Sequence, residues 1–419
     1  MILKEFFLII KQLIREFEQQ RKYEDATIEQ MKSVYENMTD REQEECLKIL
    51  ADVFGESCEY AIYMLSMLLI NLHDKKIVPY IEKKLESNEL PIWNKFANIY
   101  QMKSWLFSNA LSDDSVASYK NEKRVYTKMM DEFRKELGLT NKYIPYKNRK
   151  KTVIIIVNQF INVRHAPTSR TISICNYLKK LGYEVYIYVS FYSGTDGICD
   201  FYSVYQYNNF NNEAGIFYDD EMGAKIYNII LKPLTYISDI KDAVKRIWDT
   251  APEYVFELGT YTLLADLCRD FTTVVTSGFS IEVPITNAPI IATCFRCSAE
   301  EKEHFKRCLE DDQIVVELQY RDENMFVRQK SVHLNKIDLK IPETSFTIII
   351  AGNRLDTEIK NSFLEILYQI LDKNIHIVIA FIGKCKDLQS RIKKEYSERM
   401  FFWVLLLFLE KQLELVIFF

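Results

Sequence analysis

The spacing of apolar positions along the chain changes character near residue 150. Before it, apolar residues recur at helical intervals. Thr39 and Glu42 form a capping-box pattern ahead of Cys46, Leu47, Leu50, Ala51 and Phe54. Tyr60–Leu72 and Ile77–Leu85 continue that spacing across a polar turn at 73–76, and Pro91–Phe107 and Ser118–Leu137 complete it. The spacing predicts an all-helical segment over 1–145, similar to a stack of helical pairs but without a fixed period that would name a repeat class. The first 22 residues read as an amphipathic helix, since their longest apolar run, Phe6–Ile10, is shorter than the roughly 7–15 residues of a signal-peptide core.

A polar, basic linker, NKYIPYKNRKK at 141–151, separates this segment from a stretch with a different period. Val153–Val157 is a continuous β-branched run, suited to a strand buried on both faces of a parallel sheet. Thr168–Lys180 carries Ile172, Cys175 and Leu178 on one helical face, ends in two lysines and stops at Gly182. Val185–Val189 is a second strand pattern, so 152–190 reads as a βαβ unit. A helix over 239–248, with Ser238 as its cap, precedes a strand at 252–257. A helix over 261–269 follows, then strands at 272–276 and 290–294 and a helix over 299–309. A second βαβ unit opens at Phe346, with a helix over 358–371 and a strand over 375–382. Repeated alternation of this kind predicts an α/β fold with parallel sheets.

Composition narrows the partners more than the fold. Net charge is −5 and the densest basic run is Lys147–Lys151, so no nucleic-acid partner is expected. Nine cysteines in 419 residues, an odd number, fit reduced thiols in a cytoplasmic protein better than a disulfide framework. The abundance of Lys, Asn, Ile, Tyr and Phe fits an AT-rich, bacterial genome.

Candidate chemistry concentrates where the first strand meets its helix. Asn158, Gln159, Asn162, Arg164, His165, Thr168, Ser169 and Arg170 fall within thirteen residues that contain no glycine, so the dinucleotide fingerprint is absent. A histidine and two arginines at a helix N-terminus suit a sugar acceptor, a phosphate, or both. The competing reading is a surface loop capped by Thr168. In the second unit Gly352 would let backbone approach a ligand, and Arg354 offers a bidentate fork to a diphosphate. A strand-to-helix turn also calls for that glycine. Cys294, Cys297, His304 and Cys308 have zinc-ligand residue types, but their spacing matches no common zinc module, and no metal is expected.

Three segments carry a resemblance: NQFINVRHAPTSR (158–170), ELGTYTLLADLC (257–268) and IIIAGNRLDTEI (348–359). Together they resemble the two facing Rossmann-like domains of bacterial GT-B glycosyltransferases of the glycosyltransferase-4-like kind. The resemblance covers about 152–400 and, after the all-helical segment at 1–145, implies an acceptor domain at 152–340 and a partial donor domain at 345–419. It further implies transfer of a sugar from a nucleotide sugar to a carbohydrate or protein acceptor, with no cofactor. His165 becomes the catalytic candidate, Asn158, Arg164, Thr168 and Arg170 the substrate contacts, and Gly352, Asn353 and Arg354 the diphosphate contacts. Glu257 and Asp266 are weaker acid/base candidates, against a buried or helix-capping role for each.

The chain departs from that pattern at its end. A complete donor domain has several more strand–helix units, whereas 36 residues, 384–419, follow Gly383. A regular helix is expected over 388–399. From Met400 the pattern breaks, and Phe401–Leu409 is uninterruptedly apolar. One expectation is a frameshift near Trp403, leaving a truncated donor domain with weak or no activity. The alternative is an apolar tail in peripheral contact with the inner face of the membrane. The competing function is a non-catalytic interaction protein that works through its helical segment.

Overall fold

The computed structural model describes the chain except residues 1, 21–23, 54–57, 110, 114, 162–164, 193–212, 220–222, 280–281, 294–296, 318–335, 337–339, 353–354, 384 and 404–419. It divides into two compact units, one of Met1–Trp105 with Asp113–Met325, the other of Leu106–Ser112 with Phe326–Phe419.

The first unit begins with helices α1 (Ile2–Gln20), α2 (Asp25–Glu36), α3 (Asp40–Val53), α4 (Cys58–Leu72), α5 (Val78–Leu85), α6 (Ile92–Ser108) and α7 (Val116–Leu137). The capping box ahead of α3 forms as the sequence predicts: Thr39 N donates to Glu42 Oε2 at 2.9 Å and Glu42 N to Thr39 Oγ1 at 3.3 Å. Ser115 caps α7 by accepting from Ser118 N, and Gly138 ends it with a left-handed φ of 54°.

These helices are followed by an eight-stranded sheet in the order β3-β4-β2-β1-β5-β6-β7-β8. The strands are β1 (Lys150–Val157), β2 (Glu184–Tyr192), β3 (Gly215–Asp219), β4 (Ala224–Leu231), β5 (Pro252–Leu258), β6 (Thr273–Ser277), β7 (Ile290–Thr293) and β8 (Ile314–Glu317). Every neighbouring pair is parallel except β3 with β4. Central β1 is buried from Thr152 to Val157, as its unbroken β-branched run requires. Helix α8 (Ala166–Lys180) joins β1 to β2 and packs Ile174 and Cys175 into a core with Ile155, Ile187 and Ile226. Helices α9 (Tyr236–Thr250), α10 (Leu263–Cys268) and α11 (Ala299–Cys308) complete the unit. Helix α9 starts three residues earlier than its apolar spacing predicts. Thr235, not Ser238, stands at its N-cap, and the Thr235 hydroxyl donates to Asp239 Oδ2 at 2.6 Å.

The helical segment and the sheet share one packed interior. Trp93 of α6 stacks on Tyr236 of α9 at 5.1 Å, and Phe133 of α7 meets the same ring edge-on at 6.0 Å. The Tyr236 hydroxyl donates to Glu136 at 2.5 Å, and Tyr119 of α7 donates to the Pro284 carbonyl at 3.2 Å. Burial of this much aromatic surface, with the Tyr236 and Tyr119 hydroxyls bonded, fixes α7 against the α/β layer.

The second unit holds a three-stranded parallel sheet, order β11-β10-β9, made of β9 (Phe346–Gly352), β10 (Ile377–Gly383) and β11 (Met400–Trp403). Helix α12 (Leu355–Glu358) and helix α13 (Asn361–Lys373) follow β9, and α14 (Lys386–Ser390) follows β10. Leu364, Leu367 and Leu371 of α13 pack on Ile379 and Phe381 of β10. Gly383 pairs with Gly352 across the two strands at φ 140°, and a Cβ there would lie 1.8 Å from the Gly352 oxygen. Only glycine fits.

The helix expected over 388–399 stops at Ser390, and Lys394–Arg399 form a 3₁₀ turn. Two arginine side chains tie this segment to its neighbours. Arg399 turns back to donate to Leu371 O at 2.8 Å and Ile377 O at 2.9 Å, and Arg391 donates to Ile359 O at 2.6 Å. Met400–Trp403, where the sequence pattern breaks, continues as a strand parallel to β10.

Candidate functional site

In an open parallel sheet, ligands meet the loops beyond the carboxyl ends of the strands, near the point where strand order reverses. Here that point lies between β1, whose chain continues through α8 to β2, and β5 on its other side. Asn158 ends β1. Its Nδ2 donates to the Thr260 carbonyl at 3.0 Å, tying the β1 edge to the β5 edge. Its Oδ1 is buried and has no hydrogen-bond partner among the described residues. A buried amide oxygen in that state calls for a donor, and a ligand hydroxyl would supply one.

The loop at the β5 edge is held in an unusual backbone shape. Gly259 has φ 134°, and Tyr261, a bulky aromatic, sits in the left-handed region at φ 56°. Three contacts hold it there. Tyr261 N donates to Ile285 O at 3.1 Å, Ile285 N to Thr260 Oγ1 at 2.9 Å, and the Tyr261 ring meets Tyr126 of α7 edge-on at 5.4 Å. Backbone strain of this order, about 1–3 kcal/mol, persists only where surroundings over-determine it.

His165 is the N-cap residue of α8, with extended φ and ψ, and its carbonyl accepts from Ser169 N at 2.9 Å. Its Nδ1 lies 3.0 Å from Thr168 Oγ1, which also accepts from Ile161 N at 2.9 Å. Burial lowers the imidazole pKa from its ordinary value. The positive end of the helix dipole acts in the same direction. Both effects favour the neutral ring. In the tautomer whose Nδ1–H donates to Thr168, Nε2 carries the free lone pair. Arg170, one turn on, donates to Ser277 Oγ at 3.3 Å, and its guanidinium lies 5.9 Å from the Phe279 ring centroid.

The structure thus brings Asn158, His165, Thr168 and Arg170 to one carboxyl edge and adds Thr260 and Ser277, which sequence reasoning did not single out. Ser277 is fully buried at the end of β6, where the run TVVTS stops at Gly278. A serine closing a strand before a glycine is the only local sign of it. Beside it lies a shallow depression lined by Gly278, Glu282, Pro284, Thr293 and Phe305. Arg164, Asn353 and Arg354 lie outside the described residues. Gly352 closes β9 in the second unit, where a Cβ would press on Leu355 Cδ2 at 3.2 Å.

Glu257 and Asp266 are both fully buried, enclosed by protein, and have no surface toward the edge where a substrate would lie. Among the cysteines, Cys308 and His304 stand one turn apart on α11, Sγ to Nε2 3.7 Å, and Cys294 lies outside the described residues. Among the described residues no group of three or more metal-ligating side chains is assembled. Nor, among them, is any helix long and apolar enough to cross a membrane.

No protein-family profile matches the chain, and no curated protein matches it in sequence. Among solved structures it is similar to a mutant of the O-GlcNAc transferase of Thermobaculum terrenum, at 12% identity and a TM-score of 0.45, over 95% of this chain and 75% of that one. The likeness is a distant one.

Proposed function

We propose that the chain is a glycosyltransferase of the GT-B type, moving a sugar from a nucleotide sugar to a hydroxyl of a carbohydrate or protein acceptor. The observation that carries this reading is the β1 edge of the first unit. A half-buried histidine at a helix N-terminus, its imidazole pKa lowered by burial, stands in the same loop cluster as a buried amide oxygen that has no donor among the described residues. An acceptor hydroxyl meets both needs, donating to Asn158 Oδ1 or being deprotonated by His165 Nε2 as it attacks the sugar carbon. Arg170 and the α8 N-terminus add positive potential at the same edge, which suits a substrate carrying negative charge.

The second parallel sheet, with Gly352 at the end of β9, supports a donor-binding role for the second unit, with Asn353 and Arg354 as diphosphate contacts by the sequence resemblance. No cofactor is part of this scheme. The reaction is displacement of the nucleoside diphosphate by the acceptor oxygen, with the acceptor proton passing to the histidine.

The test is transfer of radiolabelled sugar from UDP- and GDP-sugars to acceptor libraries of glycans and peptides, run with His165→Gln alongside. Loss of about 10²–10⁴-fold in turnover is expected if the imidazole takes the proton. Full transfer by the variant would remove His165 from that role.

A further inference from the structure

The two carboxyls that lie away from the proposed site are the least conventional feature of the first unit. Glu257 on β5 and Asp266 on α10 converge on one hydroxyl, that of Thr286. Its oxygen lies 2.9 Å from Glu257 Oε2 and 2.9 Å from Asp266 Oδ1, while it accepts from Ala288 N at 3.0 Å. Thr276 of β6 also donates to Glu257 Oε2, and Asn287 N donates to Asp266 Oδ1 at 2.8 Å. Thr286 has one proton and cannot serve both carboxylates.

The charge count leads to the same place. From α7, buried Lys123 reaches into the cluster and donates to Thr286 O and to Asn287 Oδ1. One buried cation faces two buried carboxyls, so the cluster is neutral only with one extra proton. Other ionisable groups stand farther out on each packed element. On α7 this is Tyr119, while the Tyr126 hydroxyl bonds Asp266 directly, and on α10 and just after it they are Cys268, Arg269 and Asp270. Beyond α11 come Glu310 and Asp312. Arg269 is committed outward, donating to Asn287 O at 2.8 Å and pairing with Asp312. It does not supply the missing charge.

We propose that Lys123, Asp266 and a protonated Glu257 form a latch that holds α7 against the carboxyl-edge loops 259–262 and 283–288, and that loss of the Glu257 proton releases it. The same helix carries Tyr126, which braces the strained Tyr261 loop, and Thr127, which donates to Asn287 at 3.0 Å. Desolvation, followed by repulsion from Asp266, pushes the Glu257 carboxyl up to about 8. Its folded pKa lies above the unfolded 4.5, so the folded state binds more protons between those values, and stability falls as pH rises through that window. Alkaline release follows from that sign. The latch does not depend on the proposed transferase activity, and its test does not use it.

The experiment is hydrogen exchange by mass spectrometry on the full chain at about pH 6 and about pH 9, corrected for intrinsic exchange rates, together with thermal melts. In the wild type α7 should lose at least about 10-fold in protection at the higher pH, and the melting midpoint should fall by at least about 5 °C. Glu257→Gln, which keeps a neutral side chain of the same length, should flatten both changes. Lys123→Met, which removes the cation that favours the ionised carboxyls, should move the loosening to higher pH. If Glu257→Gln does not fold, infrared titration of the wild type decides. A protonated-carboxyl band that disappears over the same pH range in which α7 opens supports the latch. An α7 protection that is independent of pH, or a variant that keeps the wild-type pH slope, overturns it.

Discussion

Thr168 links two needs that usually fall to different residues. Its hydroxyl oxygen accepts the backbone N–H of Ile161 at the start of the loop and meets His165 Nδ1 at the end of it. Thr168→Val should therefore do two separable things. Leaving the Ile161 N–H without its partner should cost about 1–3 kcal/mol in a denaturant melt. Freeing the imidazole tautomer should also broaden the alkaline limb of any transfer pH profile. A variant that lost stability alone would leave Thr168 as a loop brace. The polar character of this loop was plain from residues 158–170, because strand, loop and helix are contiguous and each signals locally. Its partner Ser277 lies more than a hundred residues away and was not singled out from sequence, since a serine at a strand end has many ordinary uses.

At the scale of elements, local signals held and long-range ones did not. The capping box ahead of α3, the β-branched run of β1 and the glycine stop after α8 each act over a few residues and are visible as patterns. The β3–β4 hairpin escaped because β4 reads AKIYNIIL, with a lysine and an asparagine breaking its run. The four-residue β8 leaves Ile314 and Val316 exposed and offers too short a pattern. The helix expected over 388–399 stops at Ser390, and the Arg399 side chain bonds carbonyls beyond the segment, at Leu371 and Ile377, contacts that no local pattern signals. Gly383 gives the sharpest prediction at this scale. Gly383→Ala sets a methyl against the Gly352 carbonyl, so the second unit should lose about 2–4 kcal/mol and melt ahead of the first. Coincident melting with an unchanged midpoint would show that β9 and β10 separate more freely than their register implies.

For the molecule as a whole, the helical segment is bound to the first sheet by contacts that composition could not show. Lys123 meets Thr286 and Asn287 across more than 160 positions, and Trp93 meets Tyr236 across more than 140. A linker at 141–151 is legible as a change of period, but it does not mark a change of packing unit, since α7 and the sheet share one interior. The prediction at this scale is that 1–145 expressed without the sheet exposes Trp93, Phe133 and Tyr126 and binds a hydrophobic dye. Cleanly folded, dye-silent material would show that the helices pack by themselves. The transferase reading stands or falls on donor recognition. The most direct measurement is a calorimetric titration of the full chain with uridine and guanosine diphosphates and their sugar conjugates, repeated with Arg354→Ala. Saturable binding in the micromolar range, weakened at least about 10-fold by that substitution, is the predicted result. No heat at millimolar nucleotide would contradict the transferase reading and leave a protein that works through its helical surface.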